Sequence, residues 1–145
     1  MTSATAAVAP VAAQPLPQTS RAFEVAFAPA RPRVGHMRRI TRAYLGLWDV
    51  ASPVAEDVVL AVSELVTNAV EHGWGDVALR VQHTDETLRV TVTDGSPAPA
   101  NLRSADDDDD SGRGLLLVAV LAHKWGIGDN GRTTWCEFRA PASRP

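Results

Sequence analysis

The chain has 145 residues, and 14 Lys and Arg against 17 Asp and Glu give it a formal net charge of −3. This length suits one domain, and 45% hydrophobic residues can bury a core without disulfides. The mild negative charge argues against a sequence-independent nucleic-acid binder. A single cysteine, Cys136, excludes a disulfide framework or a cysteine-based zinc site within one chain. No apolar run is long enough to span a bilayer, and no basic stretch precedes an apolar one at the start. We therefore expect a cytoplasmic domain with no direct nucleic-acid or membrane partner.

The two ends of the chain differ in composition from its middle. Residues 1–20 are rich in Ala, Pro, Thr and Gln and contain no aromatic residue, and residues 141–145 are similar. Such segments bury too little apolar surface to offset the entropy of ordering. We therefore expect disordered tails at both ends and one folded unit over residues 21–140.

The folded unit is predicted to begin with a strand and two helices. Alternating apolar residues around Val25 are typical of a strand. Apolar residues at steps of three and four predict a helix over residues 34–47. The Ser52–Pro53 pair is a favourable start for a second helix, which should end near His72 because Gly73 is a common terminating residue.

The first helix region is strongly basic, with five Arg and no acidic residue between residues 31 and 47. The pattern allows a solvated basic face or a docking surface for an acidic partner.

The second half of the chain predicts two hairpins separated by a loop and a helix. Residues 76–82 and 88–93 alternate as strands, and the polar residues 83–87 should connect them. Residues 94–112 lack periodicity and contain five consecutive aspartates, Asp106–Asp110. The apolar run 115–122 suits a short buried helix, and an Asn-Gly turn at 129–131 joins strands 125–128 and 133–138. This order predicts an α/β sandwich of two layers, with a mixed, mostly antiparallel sheet and helices on one face.

The second helix carries a one-sided polar stripe. Helical geometry places Glu64, Asn68, Glu71 and His72 on one side, with the apolar residues opposite. The stripe is either the solvated face of an ordinary amphipathic helix or a site. An amide oxygen at Asn68 suits Mg²⁺ shared with phosphates, and Glu64 could accept a proton from an attacking hydroxyl.

Two glycine-containing segments are further candidates. Asp94-Gly95 follows a strand. The pair either starts a turn or places the Asp94 carboxylate against a ligand, and Gly95 would then let the backbone come close to that ligand. Gly112-Arg113-Gly114 precedes an apolar helix and could present backbone N–H groups and a cation to an anion.

Taken in order, these segments resemble the motifs of the histidine-kinase-type (Bergerat) ATPases. Residues 64–73, Glu-Leu-Val-Thr-Asn-Ala-Val-Glu-His-Gly, resemble the N box. Asp94-Gly95 and Gly112-Arg113-Gly114 resemble the two glycine boxes, and Gly131-Arg132-Thr133-Thr134 is similar to the Gly-x-Thr stretch that closes the adenine pocket. Within this superfamily the chain looks most like the small stand-alone anti-sigma factors of actinobacterial type that act as serine-protein kinases.

The resemblance implies a role for each motif residue. Glu64 would be the general base or water-positioning carboxylate, Asn68 would bind Mg²⁺, and His72 occupies a phosphate-contacting position. Asp94 would accept from the adenine amino group with support from Thr133.

In the glycine boxes, the resemblance implies that Gly95, Gly112 and Gly114 give the nucleotide access to the backbone. Arg113 would reach phosphate. The segment Asp94–Gly112 would be a mobile lid over ATP.

At the level of function, the resemblance implies an ATP- and Mg²⁺-dependent regulator. Such a protein would phosphorylate a serine of an antagonist protein and bind a sigma factor, and the sequence leaves a homodimer open. The alternative is a catalytically inactive nucleotide- or partner-binding module of the same fold. It is motivated by the basic first helix and by Gly95-Ser96-Pro97, since relatives often show Asp-x-Gly-x-Gly at this place.

Overall fold

The computed structural model describes residues 20–95 and 110–141, with side chains from Gly114 onward in the second range. The predicted tails, apart from Ser20 and Pro141, and most of the predicted lid lie outside the described residues. Ser20 begins the first strand rather than ending a tail. The elements, in chain order, are β1 (Ser20–Phe27), α1 (Pro32–Leu47), α2 (Ser52–His72), β2 (Val77–Thr84), β3 (Thr87–Thr93), α3 (Asp110–Leu121), β4 (Lys124–Gly128) and β5 (Thr133–Arg139). Within the described ranges no helix combines the length and apolar character needed to cross a membrane.

The five strands form one sheet in the order β1-β2-β3-β5-β4. All four pairings between these strands are antiparallel. Helix α2 packs against β2, β3 and β5, while α1 and α3 pack against α2. The predicted sandwich of helices on a sheet is confirmed, and the strands described here are antiparallel throughout rather than mixed.

The core lies between the sheet and α2. Alternate strand residues point toward the helices because side chains alternate along a strand, and those of β2 and β3 are fully buried or nearly so. Opposite them, the apolar side of α2 is buried along most of its length. The central members of this core are Leu79, Val81, Val90, Val58, Val62, Leu65 and Val66.

Cys136 lies in this core, on β5. Its thiol is completely buried, and burial raises its pKa to about 12, with Arg89 opposing and Glu137 reinforcing the shift. A thiol with so high a pKa is not a nucleophile near neutral pH. Cys136 therefore packs as a small hydrophobic side chain.

Helix α2 begins one residue earlier than predicted. Ala51 is the N-cap residue and makes no side-chain cap, so Ser52 and Pro53 both lie in the first turn. The helix ends at His72 as predicted, but the following Gly73 has φ −86° and ψ −170°. This extended conformation is open to any residue, so the glycine at this position needs another explanation.

The connection between β2 and β3 is shorter than predicted. Both strands extend into the expected polar loop, which leaves a turn at Asp85 and Glu86 and places His83 within β2. His83 is fully buried because it continues the inward-facing positions of this strand. The prediction of a loop over 83–87 was wrong because a polar side chain was taken as a sign of exposure.

His83 is buried within a hydrogen-bonded set. Its Nε2 donates to the backbone oxygen of Ala140 at 2.7 Å, and Nη2 of Arg21 donates to Nδ1 at 3.1 Å. The same Arg21 nitrogen lies 3.1 Å from the backbone oxygen of Trp48. Because a guanidinium only donates, this arrangement fixes the neutral imidazole with its proton on Nε2. The network ties the start of β1, the end of α1 and the chain after β5 together.

Helix α3 is only half covered, although its apolar run suggested a buried helix. Leu115 and Val118 are buried, whereas Leu116 and Val120 are 66% and 73% exposed. The helix packs against α2 by one face, so residues on the opposite face stay outside the core.

The terminal hairpin matches its prediction. Asp129, Asn130 and Gly131 have φ values of 53°, 56° and 88°, the left-handed conformations that Asn and Gly adopt most readily. The turn brings β4 and β5 together as neighbours.

Candidate functional site

The polar stripe of α2 does not behave as a solvated helix face. Asn68 is only 9% exposed, and Glu64 and His72 are half-buried. A polar residue buried this deeply does not belong to a solvated helix face, so this position favours a site over an ordinary surface.

The end of α2 meets the end of β3 at very short range. Asp94 is 8% exposed, and its carboxyl group lies directly against Gly73. A Cβ atom on Gly73 would come within 2.6 Å of Cγ and Oδ2 of Asp94 and within 2.5 Å of the backbone oxygen of Ala69. Gly73 is therefore explained by space rather than by backbone conformation, since any side chain would displace the Asp94 carboxylate.

Backbone hydrogen bonds hold Asp94 and its neighbour in place. The N–H of Asp94 donates to the backbone oxygen of Arg132 at 2.9 Å, and that of Gly95 donates to the backbone oxygen of Trp74 at 2.7 Å. The strand end is thus fixed between the segment after α2 and the turn before β5. The ring of Trp74 is 70% exposed at this rim.

Helix α3 approaches the same side of α2 at the predicted second glycine segment. A Cβ on Gly114 would lie 2.7 Å from Oε1 of Glu64, so the absence of a side chain there makes room for the Glu64 carboxylate. The segment does not precede the helix, because α3 begins at Asp110. Gly112 and Arg113 lie in its first turn, where backbone N–H groups have no partner within the helix. The position of the Arg113 side chain is outside what the structure describes.

The two threonines of β5 point to opposite faces of the sheet. Oγ1 of Thr133, the predicted residue, lies 3.2 Å from Oγ1 of Thr93. Thr134 is 8% exposed and pairs with Val92, which faces the helices. The Asp94 carboxyl group also lies on the helix side. Thr134 is therefore better placed than Thr133 to share a pocket with Asp94. The sequence indicates this face, because Thr134 stands two and four residues before Cys136 and Phe138, which are buried on the same strand.

Two side chains of the α1 region reach α2 near the stripe. Nη1 of Arg38 donates to Oγ of Ser63 at 3.0 Å, and Ser63 directly precedes Glu64. Arg31 lies 3.9 Å from Glu71, and Glu71 also lies 3.9 Å from Nε2 of His72. Exposed ion pairs at this distance contribute little to stability, so their effect is on local orientation.

The surroundings of α2 therefore combine four chemical features: a carboxylate at Glu64, a buried amide at Asn68, a second, buried carboxylate at Asp94 and close backbone approach at Gly73 and Gly114. Within the described ranges no three His, Cys, Asp or Glu side chains are arranged to hold a metal ion. The arrangement can accept a hydrogen bond at one end and handle a proton and an oxygen-bound cation at the other.

Comparison with known proteins identifies the family. Residues 27–138 match the model of the histidine kinase-like ATPase domain, and the chain belongs to this family. The predicted membership of the histidine-kinase-type ATPases is confirmed. No curated protein shows significant similarity to the chain.

Among solved structures, the chain is similar to the RsbU and RsbW domains of Rv1364c from Mycobacterium tuberculosis. The TM-score is 0.60 and the sequence identity 22%, over 86% of this chain and 33% of that one. The chain thus spans about a third of the length of the matched chain, and the likeness concerns the fold.

Proposed function

We propose that the protein binds ATP with Mg²⁺ beside the polar stripe of α2 and acts as a regulator of the anti-sigma factor type. In this role it transfers the γ-phosphoryl group to a serine of an antagonist protein and also binds a sigma factor in the cytoplasm. The observation that carries the proposal is the buried Asp94 carboxylate, which lies directly against Gly73 at the end of the helix that bears Glu64 and Asn68.

Asp94 is the proposed adenine-recognition residue. A buried carboxylate accepts a hydrogen bond from the exocyclic amino group of adenine, whereas guanine presents a carbonyl oxygen at the corresponding position and would repel it. Gly73 keeps the carboxylate in place, and Thr134 or Thr133 completes the pocket from β5.

Asn68 and Glu64 are the proposed residues for the phosphate end. The Asn68 amide oxygen is a suitable ligand for Mg²⁺, which prefers oxygen donors and shares them with phosphates. Bound Mg²⁺ would supply positive charge that offsets the charge of the phosphates. Glu64 takes the proton of the acceptor serine hydroxyl as the serine oxygen bonds to the γ-phosphorus. The bond from that phosphorus to the bridging oxygen breaks at the same time, and ADP leaves. The proposed phosphate contacts come from the side chains of His72 and Arg113. The backbone N–H groups of Gly112 and Arg113, in the first turn of α3, are proposed to add further contacts.

The experiment is a titration of the full chain with ATP in the presence of Mg²⁺, in which calorimetry measures the affinity for ATP. An Asp94→Asn variant keeps the shape of the side chain but loses its charge, and Asp76→Asn serves as the matched control because Asp76 is exposed. Loss of a charged hydrogen bond of about 1.5–3 kcal/mol weakens ATP binding roughly 10- to 150-fold. Equal binding by wild type and Asp94→Asn, or equal binding of ATP and GTP by wild type, contradicts the adenine assignment.

The second candidate is a module that binds nucleotide or a partner without transferring phosphate. The sequence after Asp94, Gly95-Ser96-Pro97, favours it because the family's usual glycines are absent there. Labelled γ-phosphate transfer to antagonist proteins encoded beside the gene separates the two functions. Transfer by wild type that is lost in Glu64→Gln and Asn68→Ala supports the kinase. ATP binding without transfer in wild type supports the module.

A further inference from the structure

A groove runs between the edge strand β1 and helix α1, on the part of the molecule that the proposed nucleotide site does not use. Its volume is about 420 Å³. Among the described strands, β1 is the terminal one of the sheet and pairs only with β2. The groove is lined by Val25, Ala26, Phe27, Arg33, His36, Met37, Arg39 and Ile40.

The floor of the groove is apolar and lies beside unpaired backbone. Val25 and Ile40 are half-buried, and Met37 is buried. Because β1 has a neighbour on one side only, alternate residues direct N–H and C=O groups toward the open edge. An open edge next to an apolar groove is the arrangement that accepts an extended peptide as an added strand.

The rim of the groove is positively charged. Helix α1 contains no Asp or Glu, and Arg33 and Arg39 are exposed on it. Among the described residues, no carboxylate lies within salt-bridge distance of either one, whereas the nearby Arg31 pairs with Glu71. The groove therefore offers two exposed guanidinium groups that pair with no carboxylate of the described residues.

We propose that this groove binds an extended acidic segment of a partner protein, which adds to β1 as a further strand. Its apolar side chains lie toward Val25 and Ile40, and its carboxylates pair with Arg33 and Arg39. These contacts use no residue of the proposed nucleotide site.

Charge distinguishes this occupant from two others. Residues 1–19 contain no Asp or Glu, so this segment would leave the arginines unpaired. A second copy that paired through the same edge would bring two basic α1 helices together, which is electrostatically unfavourable.

The test uses the full chain and a fluorescein-labelled peptide in which Glu and Val alternate. A peptide with Lys in place of Glu is the control for charge. The double variant Arg33→Ala/Arg39→Ala removes both proposed contacts. Arg42→Ala is the matched control, because Arg42 is exposed on the same helix but lines a groove between α1 and α2 instead.

We expect the Glu–Val peptide to bind and the Lys–Val peptide not to bind. The double variant should weaken binding roughly two- to thirtyfold, as expected for two exposed ion pairs, and added salt should weaken binding by wild type. Arg42→Ala should bind as wild type does. In hydrogen exchange, the peptide should protect amides of β1, which shows that it adds as a strand.

The proposal fails if the Glu–Val peptide does not bind, if both peptides bind equally, or if the double variant binds like wild type while circular dichroism shows the same fold. It also fails if the exchange protection excludes β1. A different result would assign the groove to the Asp106–Asp110 run of a second copy instead. In that case the protein self-associates in a salt-sensitive way, this association blocks the peptide, and the double variant loses it.

Discussion

The contact between Gly73 and Asp94 makes Gly73→Ala the sharpest test of the site. An added Cβ would lie 2.5 Å from the Ala69 oxygen and 2.6 Å from the Asp94 carboxyl group, whereas ordinary contact begins at 3.4 Å. The atoms must separate by roughly 0.9 Å. The contact with the Ala69 oxygen, a backbone atom of α2, is relieved only by a shift of residue 73, whereas the contact with Asp94 is relieved by displacement of its side chain.

The expected cost follows from these contacts. Overpacking of a closely packed position costs about 1–3 kcal/mol of unfolding free energy. Displacement of the carboxylate also removes one charged hydrogen bond to adenine, worth about 1.5–3 kcal/mol, which corresponds to a roughly 10- to 150-fold loss of ATP affinity.

Gly46→Ala is the matched control, because a Cβ there meets no atom within 4 Å and Ala is the better residue in a helix. Urea unfolding should show Gly73→Ala less stable than wild type and Gly46→Ala equal or slightly more stable. Calorimetry should show the loss of ATP affinity in Gly73→Ala only. Wild-type ATP binding by a folded Gly73→Ala variant would refute the argument that Gly73 positions Asp94.

Three further outcomes are expected. Gly114→Ala should reduce phosphoryl transfer by moving the Glu64 carboxylate while changing ATP affinity little, and equal rates in a transfer assay would contradict this contact. The buried Cys136 thiol should make the free energy of unfolding fall as pH rises from 9 toward 12. The pKa of this thiol is 9.0 in the unfolded chain and about 12 in the folded one, so only the unfolded state ionises in this range. The full shift is worth about 4 kcal/mol of unfolding free energy. Urea unfolding at a series of pH values should show a shallower loss of stability in Cys136→Val than in wild type. Equal losses in the two proteins would contradict this role of Cys136. His83→Leu should destabilise the fold by about 2 kcal/mol, because it leaves a buried carbonyl and a guanidinium without their partner. His123→Leu, at an exposed histidine, should leave the urea midpoint near wild type, and an equal loss in both variants would contradict the role of His83.

Periodicity predicted the elements well because most of them bury one face. The strand alternation and the valine-rich side of α2 located β1, β2, β3 and α2 to within a few residues. His83 shows where this reasoning fails. Its burial depends on Arg21 and on a backbone oxygen after β5, and both partners are remote in sequence.

For the candidate site, sequence order supplied the residues but not their distances. The family motifs singled out Glu64, Asn68 and Asp94. The contact of Gly73 with Asp94 joins two elements that neither motif describes together. Thr134 was overlooked because the motif was matched by spacing, whereas the face of a strand is decided by its phase.

The bond between Arg38 and Ser63 has a thermodynamic consequence. Arg38 belongs to the helix that borders the proposed partner groove, and Ser63 precedes Glu64 on the helix of the proposed nucleotide site. If a bound partner shifts α1 enough to change this bond, nucleotide and partner become linked ligands. Linkage is reciprocal, so the factor by which the partner alters ATP affinity equals the factor by which ATP alters partner affinity. Partner affinities measured with and without ATP would therefore yield the coupling free energy between the two surfaces.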